Sequence, residues 1–186
     1  GAVRRAINVE IAKRGLEPSF PPVVAFGEAA AIPHYNGDEP LGTGFLLIDM
    51  GVKYNGYCSD ITRTVYIGGE PSEQEQSVYE QVQQVQDECI SKASPGQSCS
   101  ALFNHAKDAL GEKFNHGLGH GLGVEIHEIP NLKEESEDEL EESMVLTIEP
   151  GWYDDFGVRI EDDILITDNG CERLTTTPHA MYVSEY

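Results

Sequence analysis

Glycine occupies every second position from Gly117 to Gly123 in the stretch His116-Gly-Leu-Gly-His120-Gly-Leu-Gly-Val-Glu-Ile-His127-Glu-Ile-Pro130. No other segment restricts the fold as much. Four glycines in seven residues make a helix unfavourable, so His116 and His120 do not read as a helical metal pair. In extended chain the side-chain period is two. His116, Leu118, His120, Leu122 and Val124 then share one face, and the glycines form a bare face against which another backbone can pack closely. The pattern predicts a strand over 114–129 that shows imidazoles on one side and is tightly covered on the other. By the same alternation His127 falls on the glycine side. If it serves the same site as His120, the strand has to bend or bulge between Gly121 and Ile126.

The rest of the chain is long enough to enclose a core around such a strand: 186 residues, 39% of them hydrophobic. The order of elements predicts an α+β fold. Val3, Ile7 and Ile11 mark an amphipathic helix over 3–14, closed by Pro18, Pro21 and Pro22. Strands are expected at 23–26, 42–51 and 57–67, with a hairpin turn at Lys53-Tyr-Asn-Gly56. Ser72 and Glu75 form a capping-box signature for a helix reaching about Ala93, and a second helix follows the Pro95-Gly96 turn. The seven acids between Lys133 and Glu142 read as an exposed loop or irregular helix, and strands return at 144–149, 158–167 and 171–175. No linker or second domain is visible, so residues 1–186 are read as one unit.

A formal charge of -21 disfavours nucleic acid and anionic membrane as partners. It suits a solvated acidic surface of the kind found in salt-rich cytoplasm. No apolar run approaches the length of a membrane span, and the start, Gly1-Ala-Val-Arg-Arg, has no signal-peptide core. The four cysteines form no Cys-x-x-Cys pair, so reduced thiols and a cytoplasmic setting are expected rather than a zinc knuckle.

Two carboxylate pairs stand out. Asp49 and Asp60 lie on the two arms of the first hairpin, among apolar neighbours. A turn at 54–55 places them directly opposite, and a turn at Asn55-Gly56 places them one diagonal step apart. Either register leaves them on one face. Glu149 and Glu161 repeat the arrangement if the strands around Tyr153–Gly157 pair. Like charges side by side on a half-buried face require a proton, a basic side chain or a metal ion. Four carboxylates and one imidazole match the charge of two divalent cations, and such a donor set favours Mn, Co, Fe or Zn.

These residues carry a resemblance. The motifs Ile48-Asp49-Met-Gly51, Ser59-Asp60-Ile-Thr-Arg-Thr64, His116 to Gly123, His127-Glu-Ile-Pro130, Thr147-Ile-Glu149-Pro-Gly151 and Gly157-Val-Arg-Ile-Glu161-Asp162 resemble, in order and spacing, the metallopeptidases of the pita-bread fold. That family includes methionine aminopeptidase, aminopeptidase P and prolidase. The resemblance implies a curved antiparallel sheet covered by helices. It implies five ligands for two metal ions: Asp49, Asp60, His120, Glu149 and Glu161, with Asp60 and Glu161 shared between the ions. It implies a hydroxide held by the metals as nucleophile and Glu149 as proton carrier. His34 and His127 match histidines on the substrate side, His127 facing the scissile carbonyl, and His116 lines the same pocket. Arg159 is either an ion-pair partner or a contact for a substrate carboxylate.

The motifs are more similar to prolidase and aminopeptidase P than to methionine aminopeptidase. The expected function is therefore hydrolysis of the bond between an N-terminal residue and proline in short peptides. Methionine aminopeptidase-like activity and a non-catalytic binding role are the alternatives, and a homodimer is left open. The resemblance begins after the family's first helix, so the chain reads as truncated at its N-terminus, without that helix or a separate N-terminal domain. Asn131 follows Pro130 where related prolidases often carry Arg.

Overall fold

The computed structural model describes residues 1–32, 35, 37, 40–179, 181 and 183–184. It begins with α1 (Ala2–Lys13), whose Ile11 is buried while Val3 and Ile7 are half-buried, as the stripe predicts. Strands β1 (Glu17–Pro18) and β2 (Val23–Phe26) follow, then a 3₁₀ turn at Gly27–Ala31. The first hairpin is built from β3 (Gly44–Met50), β4 (Val52–Tyr54), β5 (Tyr57–Cys58) and β6 (Ile61–Ile67). Its tip carries positive φ at both Asn55 (50°) and Gly56 (89°), the backbone that a tight two-residue hairpin turn needs. That turn sets the register: Tyr54 faces Tyr57, and further down Asp49 faces Thr62. Asp60 is two residues from Thr62, so the two aspartates sit on one face in the diagonal arrangement.

Helices α2 (Glu73–Lys92) and α3 (Cys99–Leu110) are both side-chain capped. The Ser72 hydroxyl accepts from Glu75 N, and the Glu75 carboxylate accepts from Ser72 N at 2.8 Å, completing the capping box. Next come β7 (Gly119–Gly121), β8 (Glu128–Leu132), β9 (Val145–Ile148), β10 (Gly151–Tyr153), β11 (Gly157–Arg159), β12 (Asp162–Thr167), β13 (Gly170–Arg173) and the short β14 (Val183–Ser184). Two main sheets result, in the orders β14-β6-β3-β2 and β13-β12-β9-β7-β8. All their pairings are antiparallel except β14 on β6.

The core lies between the sheets and the helices. Val82, Val85 and Cys89 of α2 and Leu102 and Ala106 of α3 pack with Phe45, Leu146, Ile148, Ile160, Ile164 and Ile166. Alternation along β9 and β12 sends Leu146, Ile148 and Ile164 to that core, and Thr147 and Asp163 to the opposite face. The sheets meet where Glu161 N donates to Thr62 O at 3.1 Å and the Thr64 hydroxyl donates to Arg159 O at 2.9 Å. Between Lys133 and Glu142 the chain is a loop rather than a helix. Buried Leu140 pins it, with its backbone bonded to Gly96 and Gln97.

The glycine segment departs from the single strand expected over 114–129. It is split in two: Gly119–Gly121 is strand, the chain bends through 123–127, and β8 returns antiparallel from Glu128 with a register shift between His120 and Gly121. The common face is lost as well: Leu118 belongs to the core, whereas His120 lines a cavity and Val124 is exposed. Bends at residues 116 and 118 interrupt the alternation. The bare face itself is present. A Cβ on Gly119 would stand 1.9 Å from Thr147 O, and one on Gly121 would stand 2.3 Å from Ile129 O. Close approach of β8 and β9 to β7 therefore needs glycine on both sides of His120. Replacing Gly119 by Ala should destabilise the fold by roughly 2–3 kcal/mol or more, the scale of overpacking. The equivalent change at Gly170, where a Cβ meets nothing within 4 Å, should be near neutral. Thermal melts of the two variants compare these outcomes directly.

Candidate functional site

The two hairpins deliver their acids to one cavity. The pairing of Ile148 with Asp162 and that of Gly151 with Arg159 belong to one continuous register, which sets Glu149 opposite Glu161. The regular strands break at these glutamates, and both side chains turn away from the core into the cavity. The cavity has a volume of ≈ 540 Å³ and is lined by Asp49, Asp60, His116, His120, His127, Glu149, Arg159 and Glu161, with an apolar wall of Phe20, Pro21, Pro22, Val23 and Tyr35. Every described residue singled out for the site thus reaches the same space. His34 lies outside the described residues.

At the centre, ligand atoms of Asp60, His120 and Glu161 all lie within 4.8 Å of one another, and the three residues are 5%, 9% and 2% exposed. His120 Nδ1 lies 3.0 Å from Gly121 O. A carbonyl only accepts, so Nδ1 carries the proton and Nε2 presents its lone pair. That lone pair faces Asp60 Oδ2 at 3.8 Å and Glu149 Oε1 at 3.6 Å. An acceptor aimed at two further acceptors is unfavourable unless a proton or cation lies between them. Asp60 Oδ1 is buried with no hydrogen-bond partner. This donor set, one imidazole and several carboxylate oxygens, fits a divalent cation.

Electrostatics point the same way. Burial drives the Asp60 carboxyl up to about 9, with the charges of Asp49, Glu149 and Asp163 adding to it and Arg159 opposing. Burial raises Glu149 to about 7 against the pull of Arg159. Glu161 is pushed well above the carboxylate range by burial and by Asp60, Glu149 and Asp49. Burial lowers His120, favouring the neutral imidazole that a metal requires.

Arg159 lines the cavity and is bonded internally. Nη2 pairs with Asp49 Oδ2 at 2.5 Å, Nε donates to the Thr62 hydroxyl and Nη1 to the Tyr153 hydroxyl. Burial disfavours its charge, but Tyr153, Asp49, Glu149 and Glu161 hold the guanidinium firmly protonated. Since Arg159 donates to the Tyr153 hydroxyl, that hydroxyl can donate to His116 Nε2 at 2.8 Å, and His116 Nδ1 donates to Gly117 O. His127, carried by the bend, stands edge-on to His120 with ring centroids 4.5 Å apart. The bend required for His127 to join the site is present.

Several supporting residues were not read from the sequence. The Thr62 hydroxyl donates to Glu161 Oε2 at 2.6 Å, and the Thr147 hydroxyl accepts from His120 N and donates to Glu149 Oε1. Asp163 Oδ2 accepts from Asp60 N at 3.1 Å and so ties the second hairpin to the first. Their signal is parity: each lies two residues from a proposed ligand, on the same face. His179 is half-buried, with Nε2 2.6 Å from Asp162 Oδ2. All four cysteines are free, and among the described residues no helix is long and apolar enough to cross a membrane.

The comparisons with known proteins agree with this geometry. The model of metallopeptidase family M24 matches residues 2–168. The chain is 43% identical over 170 residues to the Xaa-Pro dipeptidase of Pyrococcus furiosus, an alignment covering 87% of this chain and 49% of that protein. The prolidase structure from Pyrococcus horikoshii superposes with a TM-score of 0.93 at 39% identity, covering 97% of this chain and 55% of that one. The X-Pro aminopeptidase structure from Thermotoga maritima gives 0.93 at 35% identity, covering 98% and 55%. The pita-bread architecture expected from the motifs is borne out. The chain spans about half the length of the curated relatives it matches.

The raised carboxyls predict a pH dependence for chelator-treated protein. Their folded-state pKa values exceed the unfolded values near 4, so the folded form holds more protons between the two. The stability they contribute is complete below about pH 4 and is lost as pH rises through about 7 and 9, the folded values of Glu149 and Asp60. Thermal melts between pH 5 and 9 should show the midpoint falling with pH in chelator. Saturating manganese(II) should reverse the fall, and Asp60→Asn should flatten it.

Proposed function

Because the chain belongs to metallopeptidase family M24, we propose that it hydrolyses the bond between an N-terminal residue and proline. Asp49, Asp60, His120, Glu149 and Glu161 are the residues that would hold two divalent cations. Manganese, cobalt, iron or zinc suits this mixed oxygen and nitrogen set. The observation that carries the reading is the buried group of Asp60, His120 and Glu161, whose ligand atoms converge within 4.8 Å with the His120 lone pair pointing inward.

When bound, the cations supply Lewis acidity, lowering the pKa of a water and polarising the scissile carbonyl. The side chains do the rest. Glu149 takes a proton from the attacking water at a carboxylate oxygen and returns it to the leaving proline nitrogen. His127 donates an N–H to the carbonyl oxygen as negative charge develops there. Arg159 holds one oxygen of Asp49, and Tyr153 fixes the tautomer of His116 beside the substrate. The apolar wall from Phe20 to Val23 and Tyr35 suits a pyrrolidine ring or an apolar side chain. His34 completes the proposal as a further substrate contact.

Ala-Pro peptides supplied with manganese(II) or cobalt(II) should be cleaved, and Met-Ala peptides should be cleaved more slowly. Replacing Glu149 by Gln should lower kcat by about 10² or more, the scale of general acid–base catalysis. Faster cleavage of Met-Ala peptides would overturn the assignment to proline. A chain that binds no metal at pH 7 and cleaves neither peptide would instead be a binding protein.

A further inference from the structure

We infer that Thr147 and Asp163 are positioning residues that act as a pair. Between them they hold the backbone of His120 and Asp60, and so set how the imidazole and the central carboxylate stand relative to each other. The inference rests on the metal-binding reading of the cavity and says what holds its geometry.

Thr147 on β9 and Asp163 on β12 are direct cross-strand partners. Their side chains therefore share one face of the sheet, the face turned away from the helices. Both residues are buried, at 0% and 4% exposure. The Thr147 hydroxyl accepts from His120 N at 3.1 Å, and Asp163 Oδ2 accepts from Asp60 N, also at 3.1 Å. The two N–H groups come from different sheets, each at a place where the strand ladder is irregular. His120 sits at the register shift between β7 and β8. Asp60 lies in the gap between β5, which ends at Cys58, and β6, which begins at Ile61. Regular pairing does not fix either residue there, and the paired side chains do. The Thr147 hydroxyl in turn donates to Glu149 Oε1 at 3.3 Å, so a third acid of the cavity hangs on the same pair.

Stability alone does not account for Asp163. Its Oδ1 is buried with no hydrogen-bond partner, and a buried acid with part of its acceptor capacity unmet costs free energy. An apolar side chain of similar volume would spare that cost but would leave the Asp60 N–H without its acceptor.

The test is manganese(II) binding by the intact chain, measured by titration calorimetry. Thr147→Val and Asp163→Ala each remove one acceptor and should weaken binding by about tenfold or more, the scale for residues that orient metal ligands. Thr147→Ser and Asp163→Asn keep an acceptor oxygen and should stay within about threefold of the parent. The double variant Thr147→Val with Asp163→Ala should lose less than the product of the two single losses, because residues that share one task do not add independently. A full product would overturn their action as a pair. Ser72→Ala, which removes the cap of α2, should lower the melting midpoint and leave the affinity unchanged, separating general loss of stability from loss of positioning. Thr147→Val and Asp163→Ala variants that melt early yet bind manganese(II) as the parent does would overturn the inference and leave the metal site standing. A second measurement needs no variant to fold: in chelator-treated parent protein the amides of Asp60 and His120 should exchange hydrogen slowly, and fast exchange at either would contradict the proposed bonds. A parent chain that takes up no manganese(II) would overturn the metal reading, and the inference with it.

Discussion

Four carboxylates and an imidazole converge where two sheets meet, and the repulsion among those acids is the constraint that organises the molecule. Two carboxylates about 4 Å apart repel by roughly 4 kcal/mol at an effective dielectric of about 20. Such a group persists only if the surrounding structure over-determines its position and if positive charge or protons offset it. Both conditions are met. Arg159 neutralises Asp49, while Thr62, Thr147 and the Asp60 backbone N–H fix the orientation of Glu161, Glu149 and Asp163. The glycines flanking His120 let three strands approach closely enough to insert the imidazole among the acids.

The same arrangement ties packing to chemistry. Alternation on β9 and β12 gives the core Leu146, Ile148 and Ile164, and Glu149 and Glu161, just beyond these strands, turn to the cavity, so packing of the helices on one face helps set two of the acids on the other. Arg63 reinforces the junction: it donates to the Glu161 carbonyl at 2.6 Å, pairs with buried Asp162 and holds the Thr177 carbonyl. A cation added at the centre would relieve the repulsion among these acids.

Much of this was legible in the sequence because it depends on local periodicity. The placement of Asp49 and Asp60 on one face followed from a period of two and held for either turn, and Asn55-Gly56 then selected the diagonal register. The opposition of Glu149 and Glu161 followed likewise from a short hairpin. The glycine segment was legible in function but not in shape. Glycine permits both extended chain and bends, so spacing alone could not locate the turn at 123–127. The Arg159–Asp49 pair, the Asp163–Asp60 tie and the His179–Asp162 pair join residues far apart in the chain, and no local pattern encodes them. The motifs, by contrast, carried the family directly.

The central claim is that the acids at the seam exist to hold metal. Crystals soaked in manganese(II) and measured with anomalous scattering at the manganese edge test it directly. Two anomalous peaks within bonding distance of Asp49, Asp60, His120, Glu149 and Glu161 are the predicted result. A cavity without anomalous signal at saturating manganese, with the same carboxyls protonated and hydrogen-bonded to one another, would contradict it.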